Sequence, residues 1–136
     1  MKKLFVVSDI HGHYSPLKEA LDRSGFDKAD REHLLICCGD YFDKGDENVQ
    51  VLEFFEGLER KVLLRGNHED GWLRVHSGGW PEFILPAQNG CVTTYRSYHG
   101  GAKPSAGLSL FGQAPTTSEE FTSMQDATFF PPEHLA

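Results

Sequence analysis

The feature that most constrains this chain is a set of three short motifs, Ser8-Asp9-Ile10-His11-Gly12-His13, Gly39-Asp40-Tyr41-Phe42-Asp43-Lys44-Gly45 and Gly66-Asn67-His68-Glu69, each following an apolar run. Each combines a glycine, which lets backbones approach closely or take a positive φ, with Asp, His or Asn side chains that can ligate a hard cation. Three such clusters at strand ends in one small chain predict a single metal site. The rest of the chain reads as its scaffold.

The apolar runs themselves read as strands. Lys3 to Ser8, His33 to Cys38 and Val62 to Arg65 are short, apolar and of the kind buried on both faces of a parallel sheet. Between the first two, Ser15-Pro16 with Glu19 predicts a helix with Ser15 as N-cap, Leu17, Ala20 and Leu21 on one face, and Gly25 as its stop. A second helix is expected from Glu47 to Arg60, with an acidic first turn and with Arg60 and Lys61 at its negative end. The resulting βαβαβ order predicts right-handed crossovers and a parallel sheet. Open α/β sheets bind ligands at the carboxyl ends of their strands, so the three motifs should converge there.

The pattern weakens after residue 75. A helix beginning near Asn67 is broken by Gly78-Gly79-Trp80-Pro81, while Val92 to Tyr95 and Leu108 to Phe111 read as strands. Residues 1–75 are therefore expected to form the βαβαβ core and residues 76–128 an insertion or lid, in a single domain over 1–136. Trp72 and Trp80 suit either core positions or a lid that contacts substrate. Pro131-Pro132-Glu133-His134-Leu135-Ala136 looks like the start of a helix, which reads as a domain incomplete at its C-terminal side.

Composition narrows the partners. A chain of 136 residues suits one domain, and 39% apolar with 24% charged residues suits an ordinary globular protein. The formal charge of −7, with thirteen Lys and Arg scattered among twenty Asp and Glu, argues against nucleic acid as a partner. No apolar segment approaches the ~18 residues of a membrane helix, and the N-terminal run is too short for a signal peptide, so a cytoplasmic location is expected. Three cysteines form no disulfide framework. The adjacent Cys37 and Cys38 read as small buried hydrophobes, and Cys91 as a free, exposed thiol.

The chemistry follows from the residue types. Asp9 and His11, one residue apart, can turn toward one ion; Asp40 can bridge two ions, and Asn67 can supply an amide oxygen. Mixed oxygen and nitrogen ligation suits manganese, iron or zinc better than calcium. Two divalent ions would hold a phosphoryl group and acidify water, which is the basis of metal-assisted phosphoester hydrolysis. His68 is then free to act as a general acid, Asp43 to orient it, and Lys44 to meet a phosphate oxygen. Singly, Asp9, Asp40 and Asn67 are ordinary turn residues and Lys44 a solvated charge; jointly, with His11 and His68 at matching strand ends, they favour a metal. The remaining histidines, His13, His33, His76, His99 and His134, read as surface or structural.

In these motifs, D-x-H-G, G-D-x-x-D-[RK]-G and G-N-H-E in this order, the chain resembles the metallophosphoesterases of the serine/threonine phosphoprotein phosphatase type. The bacterial and phage protein phosphatases and the symmetrical diadenosine tetraphosphatases are the nearest branches. The resemblance covers residues 8 to 69, with looser similarity through Asn89-Gly90, Thr94 to Tyr98 and Pro132 to Leu135. It implies an α/β fold, in the family a four-layer α/β/β/α sandwich, here its N-terminal βαβαβ half plus an insertion. It also implies a two-metal centre, with manganese favoured. By position Asp9 and His11 match ligands of the first metal, Asp40 the bridge, Asn67 a ligand of the second, and His68 with Asp43 the catalytic acid and its partner.

Two departures accompany the resemblance. Lys44 stands where the family usually has Arg, which keeps the charge and loses bidentate geometry. The two later metal-binding histidines of the family have no counterpart, and His99-Gly100-Gly101 only imitates the first of their motifs. The main expectation is a protein phosphatase acting on a phosphorylated protein or small phosphoester. Hydrolysis of diadenosine tetraphosphate is the alternative, and a catalytically inactive metal- or phosphate-binding chain is the reading from another class.

Overall fold

The computed structural model describes residues 2–79, 82–84 and 86–100, together with Glu119, Thr122, Met124, Gln125 and Phe130. In chain order the elements are β1 (Lys3–Val7), α1 (Tyr14–Ser24), β2 (His33–Cys37), α2 (Asn48–Glu56), β3 (Lys61–Leu63), α3 (Asn67–His76) and α4 (Val92–Tyr98), with a short 3-10 turn at Ala87–Asn89. The three strands form one parallel sheet in the order β1-β2-β3. Val6, Ile36 and Val62 lie in register across it. The α/β class and the βαβαβ order are as the sequence implies.

One face of the sheet carries the core. Leu35 and Cys37 of β2 are fully buried against Leu17 and Leu21 of α1 and Val51 and Phe55 of α2, with Phe5 and Val7 of β1 partly buried beside them. Strand alternation sends Leu4, Val6 and Val62 to the opposite face, where Leu4 and Val6 are each 63% exposed. The expected burial of β1 on both faces is thus not met, because among the described residues nothing covers that second face. The same alternation corrects the reading of the cysteine pair: Cys37 is buried and Cys38 exposed.

Helix boundaries differ from expectation for local reasons. Ser15 is not the N-cap of α1; it lies inside the first turn, where its N–H and hydroxyl donate to the Glu47 carboxylate at 2.9 and 2.5 Å. A carboxylate from the start of α2 therefore satisfies the positive end of α1. Gly25 ends α1 with φ 77°, as expected. α2 stops at Glu56 rather than Arg60, and its first turn contains no acidic residue. Lys61 still serves that helix end, its ammonium donating to the carbonyls of Leu58 at 2.9 Å and Glu56 at 3.3 Å.

The segment expected as a strand at Val92 to Tyr95 is the first half of α4. Val92, Thr93, Thr94 and Tyr95 are all buried, so four consecutive side chains meet protein on more than one side. Val92 and Tyr95 join Trp72 and Val75 of α3, Ile84, Cys91, Met124 and Phe130 in a second apolar cluster. α4 also lies against α2, where the Ser97 hydroxyl accepts the Val49 N–H at 3.2 Å. The expectations for Trp80, for Leu108 to Phe111 and for Pro131 to Ala136 lie outside the described residues. No described helix is long and apolar enough to cross a membrane.

Candidate metal centre

The strands end in turns that ordinary residues rarely adopt. Asp9, His11, Asp40, Asp43 and Lys44 have φ of 52°, 48°, 56°, 75° and 69°, and they are the only non-glycine residues with positive φ among those described. Each such residue costs on the order of 1–2 kcal/mol, so the surrounding structure must impose the conformation. It does so by sewing the first two motifs together. The N–H groups of His11 and Gly12 donate to the carbonyls of Asp40 and Tyr41 at 2.9 and 2.8 Å, and the Gly45 N–H donates to the His11 carbonyl at 2.8 Å. A Cβ on Gly45 would lie 2.4 Å from the Gly12 carbonyl oxygen, which is why this turn needs glycine.

The third motif is locked on by Glu69. From the first turn of α3 its carboxylate accepts the N–H groups of Asp40 at 2.9 Å, Gly66 at 3.0 Å and Tyr41 at 2.8 Å. Asp40 answers by accepting the His68 N–H at 3.1 Å. The strand ends approach so closely that a Cβ on Gly66 would lie 2.1 Å from Oδ1 of Asp40. Residue type alone assigns Glu69 no role in the site; its placement three residues after Gly66, at the start of a helix, is the sequence signal for this brace.

Asp9, His11 and Asp40 each offer a ligand atom, and these atoms lie within 4.8 Å of one another. Nδ1–H of His11 donates to the Phe42 carbonyl at 2.9 Å, which fixes the tautomer and leaves the Nε2 lone pair for the site. Burial is the largest influence on His11 and lowers its pKa from 6.5, opposed by the Phe42 contact and reinforced by Lys44 and His68. A neutral imidazole with two carboxylates is a donor set that fits one divalent cation. Lys44 also reaches this cluster, its Nζ donating to the same Nε2 of His11 at 2.9 Å, a contact that an ion bound at Nε2 would displace. Asn67 is the exposed first residue of α3. A complete ligand set for a second ion is not found among the described residues.

Beside the cluster stands a buried pair. The His68 ring lies edge-on to the His11 ring at 4.6 Å, and its Nδ1–H donates to Oδ2 of Asp43 at 2.6 Å. Asp43 is wholly buried, and its carboxylate has three further donors: Nε1–H of Trp72 at 3.0 Å, the Thr94 hydroxyl at 2.5 Å and the Cys91 thiol at 3.1 Å. These donors satisfy the acceptor positions of the buried carboxylate. Phe83 packs on His68 with ring centres 5.0 Å apart.

Cys91 is accordingly buried and not the exposed thiol expected. Burial, reinforced by Asp43, raises its pKa, so it remains a thiol that donates a hydrogen bond. Asp43, His68 and Cys91 lie close enough to hold a metal, yet a protonated thiol and a carboxylate already occupied by donors make the group a hydrogen-bond network. Trp72, Cys91 and Thr94 were not assigned to the site from sequence, because Cys91 and Thr94 meet Asp43 across about fifty residues. His99 ends α4, its Nδ1 at 3.0 Å from the Tyr95 carbonyl and its ring stacked on Tyr95.

Comparison with known proteins shows which family the chain resembles. Between 54% and 55% of the chain is similar to enzymes named "Bis(5'-nucleosyl)-tetraphosphatase, symmetrical": 31% identical over 75 residues to that of Buchnera aphidicola subsp. Acyrthosiphon pisum, and 38% and 32% over 76 residues to those of Aeromonas hydrophila and Thioalkalivibrio sulfidiphilus. The aligned region spans 27% of each relative's length. These names favour the tetraphosphatase alternative over the protein phosphatase put first from sequence. Residues 2–128 match the Calcineurin-like phosphoesterase family, whose members generally bind divalent metals, and the chain belongs to that family.

Proposed function

We propose that the chain serves metal-dependent hydrolysis of a symmetrical dinucleoside tetraphosphate. The observation that carries this reading is the convergence of Asp9, His11 and Asp40 within 4.8 Å at the strand ends, with His68 against His11. The names of the relatives supply the substrate class. Asp9, His11 and Asp40 would hold one divalent ion, and Asn67 would contribute toward a second. When bound, such ions polarise a phosphoryl oxygen and lower the pKa of water. Manganese, iron and zinc all suit the donor set.

The protein's own groups have separate tasks in this reading. Lys44 brings a positive charge to the rim of the cluster, where it can meet a phosphate oxygen. His68 presents its Nε2 side toward a leaving oxygen while Asp43 holds the Nδ1 side, so a proton can be delivered from a fixed ring. Symmetrical cleavage would release two nucleoside diphosphates.

One observation favours a second reading, phosphomonoester hydrolysis. A diphosphate leaves readily as an anion, whereas an alkoxide leaves only with a proton, and the buried His68–Asp43 pair at 2.6 Å is suited to the harder leaving group. The test is to incubate the manganese-loaded chain with diadenosine tetraphosphate and, separately, with a phosphoserine peptide, and to resolve the products by chromatography. ADP as the sole nucleotide product is expected. Phosphate from the peptide with intact tetraphosphate would transfer the conclusion to the second reading, and no product from either would leave metal or phosphate binding as the function.

A further inference from the structure

We propose that Thr94 is a positioning residue that fixes Asp43 behind His68, so that the segment from Gly90 to Thr94 serves the reaction from the rear instead of closing over it as a lid. Its kinetic consequence rests on the hydrolase reading above. The geometry does not.

A single hydroxyl grips Asp43 at two points. Oγ1 of Thr94 accepts the Asp43 N–H at 3.0 Å and donates to the Asp43 Oδ1 at 2.5 Å. The first contact holds a backbone with φ 75°, which an aspartate seldom adopts. The second fixes the rotation of the carboxylate. Asn48 shares the backbone task, its Oδ1 accepting the same N–H at 2.8 Å, and Trp72 shares the carboxylate task by donating to Oδ1 at 3.0 Å. Of these three residues, Thr94 alone does both.

The division of the two carboxylate oxygens gives this grip its purpose. Oδ1 is engaged by Thr94 and Trp72, which leaves Oδ2 directed at Nδ1 of His68, with the Cys91 thiol beside it. Releasing Oδ1 would let the carboxylate turn about its last bond and carry Oδ2 away from the imidazole. The helix that presents Thr94 is itself tied to the motif: the Gly90 carbonyl accepts the Lys44 N–H at 3.1 Å, and a Cβ on Gly90 would lie 2.9 Å from the Lys44 backbone. Thr94 is fully buried, so no solvent molecule can replace its hydroxyl without repacking.

The experiment compares the full chain with Thr94→Val, which keeps the shape and loses the hydroxyl, and with Thr94→Ser, which keeps the hydroxyl. Trp72→Phe removes the other donor to Oδ1 and serves if Thr94→Val does not fold. The first readout is the downfield proton NMR signal of the His68 Nδ1–H in metal-free protein. It should move upfield or broaden away in Thr94→Val and return in Thr94→Ser. The second readout, with manganese, is turnover of phenyl phosphate and of p-nitrophenyl phosphate, whose leaving group needs less protonation. Thr94→Val should lose about 10–100-fold in kcat on phenyl phosphate, less on p-nitrophenyl phosphate, with KM unchanged. An unmoved His68 proton in folded Thr94→Val, or a loss confined to KM, overturns the proposal. A displaced proton with no turnover of these esters or of diadenosine tetraphosphate by any chain, wild type included, would retain the grip of Thr94 on Asp43 and overturn the hydrolase reading instead.

Discussion

Nδ1 of His68 and Oδ2 of Asp43 are 2.6 Å apart, and the carboxylate that receives this hydrogen bond is closed off from solvent by Trp72, Cys91 and Thr94. Two residues of neighbouring motifs thus form one buried unit whose remaining partners come from α3, from α4 and from the residue that precedes α4. An acceptor with four donors has little tolerance for change.

Asp43→Asn tests that statement. The amide would place its own two N–H donors among groups that also donate, leaving buried donors unmatched. We expect a stability loss of about 1–3 kcal/mol in urea unfolding, and a fall in phosphomonoester turnover of about 10²–10⁴-fold where His68 must protonate the leaving oxygen. Unfolding within ~0.5 kcal/mol of wild type would show that the donors are satisfied some other way.

Glu69→Gln tests the brace between the second and third motifs. The Glu69 carboxylate accepts three N–H groups, from Asp40, Tyr41 and Gly66, and a glutamine would turn its NH₂ toward at least one of them. A loss of about 1–3 kcal/mol is expected by thermal or urea unfolding, together with weaker manganese binding, because Asp40 loses the contact that sets its backbone. Equal metal affinity in the variant would separate the brace from the site.

The two faces of the sheet should respond differently to the same truncation. Leu35 is wholly buried between the sheet and its helices, whereas Leu4 on the neighbouring strand is 63% exposed. Leu35→Ala should cost about 2–5 kcal/mol and Leu4→Ala within about 0.5 kcal/mol, both read by chemical denaturation. A large cost at Leu4 would mean that the second face is covered in solution.

These contrasts mark what could be read from sequence. The strands, their parallel order and the convergence of Asp9, His11, Asp40 and His68 follow from local signals: apolar runs, strand-end glycines and the topology of βαβ units. What escaped depends on partners distant in the chain. Val92 to Tyr95 has β-branched residues that favour a strand, and a helix wins because Thr94 must reach Asp43 while Val92 and Tyr95 meet α3. Cys91 lies among polar neighbours in sequence, yet it packs in the second apolar cluster and donates to a carboxylate forty-eight positions away. Ser15 carries the signature of a cap, yet Glu47, from across the helix pair, performs the capping.

Whether Asp9, His11 and Asp40 hold a divalent cation is read from manganese binding by equilibrium dialysis followed by elemental analysis. Asp40→Asn is the comparison of choice, because an asparagine oxygen can still accept the His68 N–H that Asp40 accepts at 3.1 Å while the ligand charge is lost. The expected result is at least one manganese ion per folded wild-type chain and affinity weaker by about 10-fold or more in Asp40→Asn. No bound manganese, or equal binding by both chains, would mean that these three residues are not a metal site.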